Sequence, residues 1–443
     1  MPAPDTIAAI ATAPGRAGIG VVRVSGSSLG PFTESICGKR LSARLATLCQ
    51  FTDGRAVRID QGLALYFPEP HSYTGEDVLE LQGHGGPVVL QRLLARCVEL
   101  GARVAEPGEF SKRAFLNGKM DLAQAEGVAD LIDAATLQAA RCAIRSVQGE
   151  FSAAIQVIAS EILELRALTE ATLDFPEEEI EAGTRNDQII RLQRIQRGLA
   201  QLLFASNQGS LLREGAVVVL AGRPNVGKSS LLNRLAGEDV SIVTEVPGTT
   251  RDAIKRSINF LGVPLHVVDT AGLRESTDPV EQIGIARAWA ALKDADFALL
   301  VIDATLGETA ADRDIVGRLP SNLRCLRVYN KSDLLQKPIS RDPEGVVTLS
   351  AKTGQGVEAL KTALAEIIGW HGEAEGVYMA HARHIEALGQ ASTRLAEAAD
   401  SVCRQELFAD ALRAAHKALM SITGEVTADD LLGEIFSRFC IGK

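Results

Sequence analysis

No apolar run in this sequence approaches the ~20 residues that a membrane helix needs. Its longest candidates, such as AVVVLAG and FALLVIDA, have the length of strands. The N-terminal stretch MPAPDTIAAIATAPGRAGIG lacks a basic segment followed by an uninterrupted apolar one, and Asp5 argues against a transit peptide. The expected setting is therefore the cytoplasm, with no membrane contact. Seven cysteines, an odd count with no CxxC pair, argue for free thiols and against zinc sites or a disulfide framework. The seven histidines show no metal-ligand spacing. His381 and His384 stand three apart with no further ligand nearby, and both are expected at the surface. Positive charge is also short: 46 Lys and Arg face 56 Asp and Glu, a net charge of −10. A protein that gripped RNA alone would be basic, so any role on nucleic acid would draw on a partner.

What is present is a soluble globular balance, 46% hydrophobic and 23% charged, over 443 residues. That length implies about two or three domains. Between Ile7 and Leu116, GIGVVRVSG, LALYF and DVLELQG read as short strands, and PVVLQRLLARCVELGA as an amphipathic helix stopped by Gly101. From Lys119 to Leu212 the pattern is helical: Val128, Leu131 and Ile132 share one face, and Ile155, Ile158, Ile162 and Leu165 another. The acidic run DFPEEEIEAG interrupts it as a solvated turn. From Arg213, the strand runs AVVVLAG, PLHVVDTAG, FALLVID, CLRVYNKSD and VVTLSAK alternate with helical segments, which argues for a mostly parallel sheet. After Gly376 the chain is helical again, with Ile385, Leu388, Leu395 and Val402 at helical spacing. Neither helical block buries its stripe alone, so the two are expected to pack together around an inserted domain. The expected organisation is an α+β domain over 1–118, a discontinuous helical domain over 119–212 and 373–443, and an inserted α/β domain over 213–372.

The inserted region carries four ordered motifs. GRPNVGKS, Gly222 to Ser229, follows a strand and opens a helix, the context of a P-loop. There Asn225, Val226, Gly227, Lys228, Ser229 and Ser230 would wrap phosphates through backbone N–H groups, with Lys228 on the β and γ phosphates and Ser229 on Mg²⁺. Thr244, Glu245, Val246, Pro247, Gly248, Thr249 and Thr250 would form a switch loop whose threonine ligates Mg²⁺. Asp269, Thr270, Ala271 and Gly272 end a strand, with Asp269 behind Mg²⁺ and the Gly272 N–H on the γ phosphate. Asn330, Lys331 and Asp333 suit guanine, because the Asp333 carboxylate accepts both N–H groups on its Watson–Crick edge. Ser350, Ala351 and Lys352 would close over the base. Together these motifs predict a guanine-nucleotide-binding GTP hydrolase.

Where Ras-like GTPases place a glutamine after DTAG to orient water, this chain has Leu273, which neither donates nor accepts. Glu281 is the first candidate for that task, although an acid at a helix start has an ordinary dipole role as well. Arg251 and Arg274 stand near the phosphates in sequence, but neither identifies itself as an arginine finger. The amide oxygen of Asn225 could instead hold a monovalent cation such as K⁺ between the phosphates.

Over its whole length the sequence resembles the tRNA modification GTPases called MnmE or TrmE. The matching stretches are DTIAAIATAPGRAGIGVVRVSG, YTGEDVLELQGHGG, PGEFSKRAFLNGKMDLAQAE and the C-terminal ITGEVTADDLLGEIFSRFCIGK. Because the pattern begins at Asp5, no room remains for a mitochondrial presequence, which favours a bacterial member. The resemblance implies an N-terminal folate-binding and dimerisation domain, a two-part helical domain and an inserted Ras-like G domain. It implies a homodimer working with a flavoprotein partner, MnmG or GidA, which binds FAD and NADH. Together they would place a carboxymethylaminomethyl or aminomethyl group on carbon 5 of the wobble uridine of certain tRNAs, with a tetrahydrofolate derivative supplying one carbon. It further implies Asn225, Thr244, Val246 and Thr249 around K⁺, Ser229 and Thr250 on Mg²⁺, and Glu281 orienting the water. Arg23, Glu80, Lys119 and Lys443 match folate-contacting positions, and HGG at His84 would be a turn near that site. Cys440 is either a reactive thiol near the one-carbon chemistry or, as expected here, a small buried residue.

Two other functional classes fit the motifs. A ribosome-assembly or signalling switch would want a basic RNA-binding appendage, and the sequence shows none. A stand-alone folate-dependent transferase with a merely regulatory G domain would act on tRNA without a flavoprotein.

Overall fold

Period-two alternation builds the first sheet. On β2 (Ala17–Gly26), Val22 and Val24 are fully buried while Arg23 between them faces the other side. The same alternation runs through β5 (Asp77–Gly85), where Leu79 and Leu81 pack against the valines. The computed structural model describes residues 5–174, 185–236, 255–269, 295–321, 323–335, 346–372, 376–425, 429–437 and 439–442. Two units emerge, one formed by Met1–Ala129 with Lys417–Lys443, the other by Asp130–His416.

In the first unit six strands stand in the order β3-β4-β5-β2-β1-β6. The remaining ones are β1 (Ile7–Ile10), β3 (Thr47–Thr52), β4 (Arg58–Phe67) and β6 (Arg103–Val104), and only the β1–β6 pair is parallel. Helix α1 (Gly30–Cys37) precedes β3. Helix α2 (Pro87–Glu99) starts on a proline whose missing N–H costs nothing at a helix start, and it lays Leu90, Leu93 and Cys97 on one face of the sheet. The other face carries Ile7, Ala9 and Phe110. Phe110 belongs to α3 (Glu109–Leu116). The last helix, Asp429–Ser437, returns here and packs Leu432, Ile435 and Phe436 against Leu122 and Ala125 of α4 (Leu122–Asp133). Beyond it Ile441 pairs with Pro107, and Gly108 N–H donates to the Cys440 carbonyl. The Cys440 side chain is nevertheless exposed, contrary to the expected burial, because the tail crosses the surface as an extended bridge.

The second unit holds a sheet of order β12-β11-β10-β7-β9-β8. Strands β7 (Ala216–Ala221), β9 (Val263–Asp269), β10 (Phe297–Asp303), β11 (Arg324–Asn330) and β12 (Val346–Thr348) are parallel; β8 (Lys255–Phe260) runs antiparallel on the edge. Every residue of β10 is buried, as a central parallel strand covered on both faces requires. Long helices accompany this sheet: α5 (Leu137–Val147), α6 (Glu150–Asp174) and α7 (Arg185–Glu214) before it, α11 (Ala382–Ser401) and α12 (Gln405–Thr423) after it. Its own helices are α8 (Lys228–Ala236), α9 (Ala310–Gly317) and α10 (Val357–Ile368).

The chain enters and leaves this sheet beside the end of α7. Gly215, at φ +72, makes the turn from α7 into β7, and a Cβ there would lie 2.2 Å from the Pro264 carbonyl oxygen. On the way out, buried Gln208 of α7 donates to the Gly369 carbonyl at 2.7 Å and accepts from the His371 N–H at 3.1 Å. The two-residue turn between β8 and β9, with Leu261 and Gly262 both at positive φ, rests on α5, where Thr136 Oγ1 donates to the Gly262 carbonyl at 2.8 Å. Beside it Val263 joins Ala139, Cys142, Leu212, Trp370 and Met379 in one apolar cluster. The two histidines expected at the surface are not free there. His381 meets Asp130 Oδ2 at 3.0 Å, Arg213 Nε meets Asp130 Oδ1 at 3.1 Å, and His384 is buried against Phe151. Their spacing places them at the start of α11, where the chain turns back onto the helices.

Candidate functional site

Parallel strands gather the motifs at one edge. The ends of β7, β9, β11 and β12 are Ala221, Asp269, Asn330 and Thr348, so the motif after each begins within two residues of the point where its strand stops, and β10 ends among them on Asp303. The crevice outside the carboxyl ends of such strands is where α/β sheets take ligands.

The phosphate loop runs from the end of β7 into α8. Gly222 and Gly227 lie at φ +139 and +98. Their Cβ atoms would fall 2.4 Å from the Val301 oxygen and 2.3 Å from Asn330 Nδ2, so glycine is required twice over. Asn225 also takes a left-handed conformation, φ +62, which asparagine tolerates better than most side chains. Val226 is buried and anchors the loop, while Ser229 and Ser230 at the helix start are exposed. Lys228 folds back so that Nζ donates to the carbonyls of Gly222, 2.7 Å, and Arg223, 3.2 Å. Arg223 itself reaches the fully buried Asp312, which caps α9.

Asn330 ties the two ends of the crevice together. Its Nδ2 donates to the Val226 carbonyl in the phosphate loop at 2.9 Å, and its Oδ1 accepts from the Ala351 N–H at 2.9 Å. Lys331, at φ +68, lies in a backbone region that costs a non-glycine residue about 1 kcal/mol or more. Its Nζ reaches Asp303 Oδ2 at 2.6 Å. Burial works against a charge on Asp303, but hydrogen bonds from Lys331 and Thr305 outweigh it and hold the carboxyl below the ordinary carboxylate range. Asp333 is exposed, with Oδ1 accepting from Ser350 Oγ at 2.6 Å. Among the described residues, then, the phosphate loop, Asn330, Lys331, Asp333, Ser350, Ala351 and Lys352 stand at one strand edge. Asp269 is placed there by its backbone pairing opposite Leu220. Thr244, Glu245, Val246, Pro247, Gly248, Thr249, Thr250, Thr270, Ala271, Gly272 and Glu281 lie outside the described residues.

A second candidate site lies in the first unit. Arg23 and Glu80 are cross-strand neighbours on β2 and β5, and their side chains pair at 2.8 Å. The guanidinium of Arg23 sits 5.3 Å from the Tyr73 ring and 5.8 Å from the Phe110 ring. Lys119 Nζ donates to the Pro70 carbonyl, so the loop carrying Tyr73 also holds Lys119. His84 lies within β5 and not in a turn, its Nδ1 2.8 Å from Asp60. Lys443 is outside the described residues. The motifs gave no sign of the ionic lattice beside this site, in which Arg113 meets Glu76, Glu109 and Asp5, and Arg103 meets Glu109 and Asp5. Its members are scattered along the sequence, and Glu109 and Arg113, four apart on α3, went unremarked.

A family model described as the MnmE helical domain matches residues 122–440, and one described as the GTP-binding protein TrmE N-terminus matches residues 6–119. The chain belongs to the MnmE (TrmE) family. A relative from Dechloromonas aromatica, named tRNA modification GTPase MnmE, is 57% identical over 99% of both chains. One of the same name from Nitrosomonas europaea is 56% identical over 100% of both. Among solved structures, the G domain of the T. maritima FeoB iron transporter is 29% identical over 34% of this chain and 98% of that one, with a TM-score of 0.27. For this family member, the P-loop, DTAG and NKSD motifs belong to a GTPase. No helix among the described residues is long and apolar enough to cross a membrane.

Proposed function

We propose that this family member hydrolyses GTP in the crevice of the second sheet and uses that cycle in modifying the wobble uridine of tRNA. One observation carries the nucleotide half of this reading. Asn330 bridges the phosphate loop and the base loop, which supports Lys228 and Asp333 serving a single cleft. Lys228 would release the two loop carbonyls to meet β and γ phosphates, and the second oxygen of Asp333 would complete the pairing with guanine.

Ser229 at the start of α8, with Thr250, would hold Mg²⁺; Asn225, with Thr244, Val246 and Thr249, would hold K⁺. Bound there, the cations would neutralise charge that develops between the phosphates. Glu281 would orient the attacking water in place of the glutamine that Leu273 replaces. In the first unit, the Glu80 carboxylate would accept from a pterin's N–H groups, Arg23 and Lys119 would favour the acidic tail of a tetrahydrofolate derivative, and Lys443 would join them. The partly exposed ring of Tyr73 beside Arg23 supports a flat aromatic ligand there, with the buried ring of Phe110 backing the guanidinium. The cross-strand pair Leu48–Leu63 leaves apolar surface on the outer strands, which supports a homodimer through this unit. A net charge of −10 supports a division of labour in which a flavoprotein partner, MnmG or GidA, carrying FAD and NADH, supplies most of the tRNA surface.

GTP turnover measured in matched K⁺ and Na⁺ salts tests the cation. The rate should drop sharply in Na⁺, and equal rates would remove K⁺ from the reading. Mass spectrometry of wobble nucleosides in a deletion strain tests the rest, since unmodified C5 is expected and unchanged tRNA would favour an assembly switch.

A further inference from the structure

We infer that Arg234 is a positioning residue for base recognition, aiming one backbone N–H at the ring-6 oxygen of the purine. This rests on the guanine-site reading above and adds to it a residue that none of the four motifs contains. Arg234 lies on α8, six residues beyond Lys228, which is about 9 Å along a helix rising 1.5 Å per residue. The first turn of α8 therefore borders the phosphates, and its second turn reaches the base loop. There the guanidinium grips two successive carbonyls, with Nε 3.1 Å from the Ala351 oxygen and Nη2 2.8 Å from the Lys352 oxygen.

A trans peptide group is planar, with its C=O and N–H pointing in opposite directions. Holding the Ala351 carbonyl against α8 therefore turns the Lys352 N–H away from α8. Among the described residues that N–H has no partner, while its neighbours are engaged. The Ala351 N–H donates to Asn330, and the Thr353 N–H donates to Ser350 Oγ. Ser350 in turn donates to Asp333. Of the three successive N–H groups from Ala351 to Thr353, that of Lys352 is thus the one left over, in the loop whose Ser350 donates to Asp333, the carboxylate that would read the purine's other edge. Guanine and hypoxanthine present an accepting oxygen at ring position 6; adenine presents an amino group, which cannot accept. Asp333 and the Lys352 N–H read different atoms, and Arg234 acts only through the second.

Arginine suits the task because its planar fork meets the two carbonyls with two nitrogens held in fixed relation, whereas a lysine ammonium would approach both with one rotatable group. The links also close a ring: phosphate loop, Asn330, Ala351, Arg234, α8, and back to the phosphate loop. The position of the base loop is thereby set by the helix that carries the phosphate site.

The test compares release of fluorescent GDP, and competition by IDP and ADP, in the full chain and its Arg234→Ala and Arg234→Lys variants. Arg234→Ala should speed release of GDP and IDP by the same factor, roughly tenfold for one misaimed hydrogen bond. The KM for GTP should rise in parallel, with kcat at saturation within about twofold, and Arg234→Lys should fall between. Unchanged GDP release in Arg234→Ala, or a fall in kcat with KM unaltered, would overturn the inference. A general loss of folding would lower the thermal midpoint of both variants alike and leave Lys no better than Ala, which also counts against it. If the unaltered chain binds ADP as well as GDP, the guanine reading fails first; if it discriminates and Arg234→Ala behaves normally, only the role of Arg234 fails.

Discussion

Asp333 shows how much a single side chain in this cleft decides. As a carboxylate it offers two acceptors, and one of them is already steadied by Ser350. Asparagine keeps the shape but exchanges an acceptor for a donor, which opposes the 2-amino group of guanine and matches the 2-oxo group of xanthine. Asp333→Asn should weaken GDP about ten- to a hundredfold, the worth of a charged hydrogen bond, and bring XDP into competition. Displacement titrations with both diphosphates check this, and an unchanged order of affinity would place the base elsewhere. Residues of this kind were legible in the sequence because each motif is a short contiguous string. Arg234 and Asp303 were not. Their contacts reach residues 117, 118 and 28 positions away, and no local pattern records such a pairing. Cys440 and His384 misled for a related reason, since burial at the end of a tail or at a helix start depends on what lies across from it.

At the level of elements, strands with strong signatures were the easiest to read. FALLVID and AVVVLAG are continuous apolar runs that suit central parallel strands. Harder cases were β1, too short to show a period, and β3, where exposed Leu48 blurs an alternation that buries Cys49 and Phe51. On α4 the expected stripe of Val128, Leu131 and Ile132 is only partly kept: Leu131 packs against the cluster of Ala139 and Leu212, Ile132 is 49% exposed, and the fully buried residues are Leu122 and Ala125, against the C-terminal helix. Small alanines do not advertise a face, yet they permit close packing. The seat of the β8–β9 turn was equally silent in the sequence. Thr136 both caps α5, accepting from the Ala139 N–H at 3.1 Å, and donates to the Gly262 carbonyl. Thr136→Ala should therefore cost about 1–2 kcal/mol, the upper range for a cap, in denaturant unfolding. Thr136→Ser, which keeps the same oxygen, should recover most of that; equal losses in both would assign the effect to the methyl group.

On the scale of whole units, charge holds the first one and chain crossing shapes the second. In the first, burial raises the cost of ionising Glu109, but hydrogen bonds from Arg103, the Glu106 N–H and Arg113 overcome it, so its carboxyl lies below its ordinary value of 4.5. Arg103, chiefly by its hydrogen bond, draws Asp5 down as well. A depressed carboxylate stabilises the fold fully above its unfolded value and loses that contribution as pH falls through the folded one. Stability should accordingly decline as pH drops below about 4.5, and Glu109→Gln should flatten that decline in acid titrations followed by circular dichroism. An identical acid profile in the variant would move the effect to other carboxylates.

The crossing of the second unit has a consequence for how the protein is made. Gln196 of α7 binds the Leu395 carbonyl on α11, 199 residues later, and Gln188 pairs with Gln405 across 217. At about 5–20 residues per second, a nascent α7 leaves the ribosome some 10–40 s before the helix that covers it. The intervening sheet has all its strands in hand by then and can close first, so the apolar stripe of α7 is the surface that a chaperone would meet during translation.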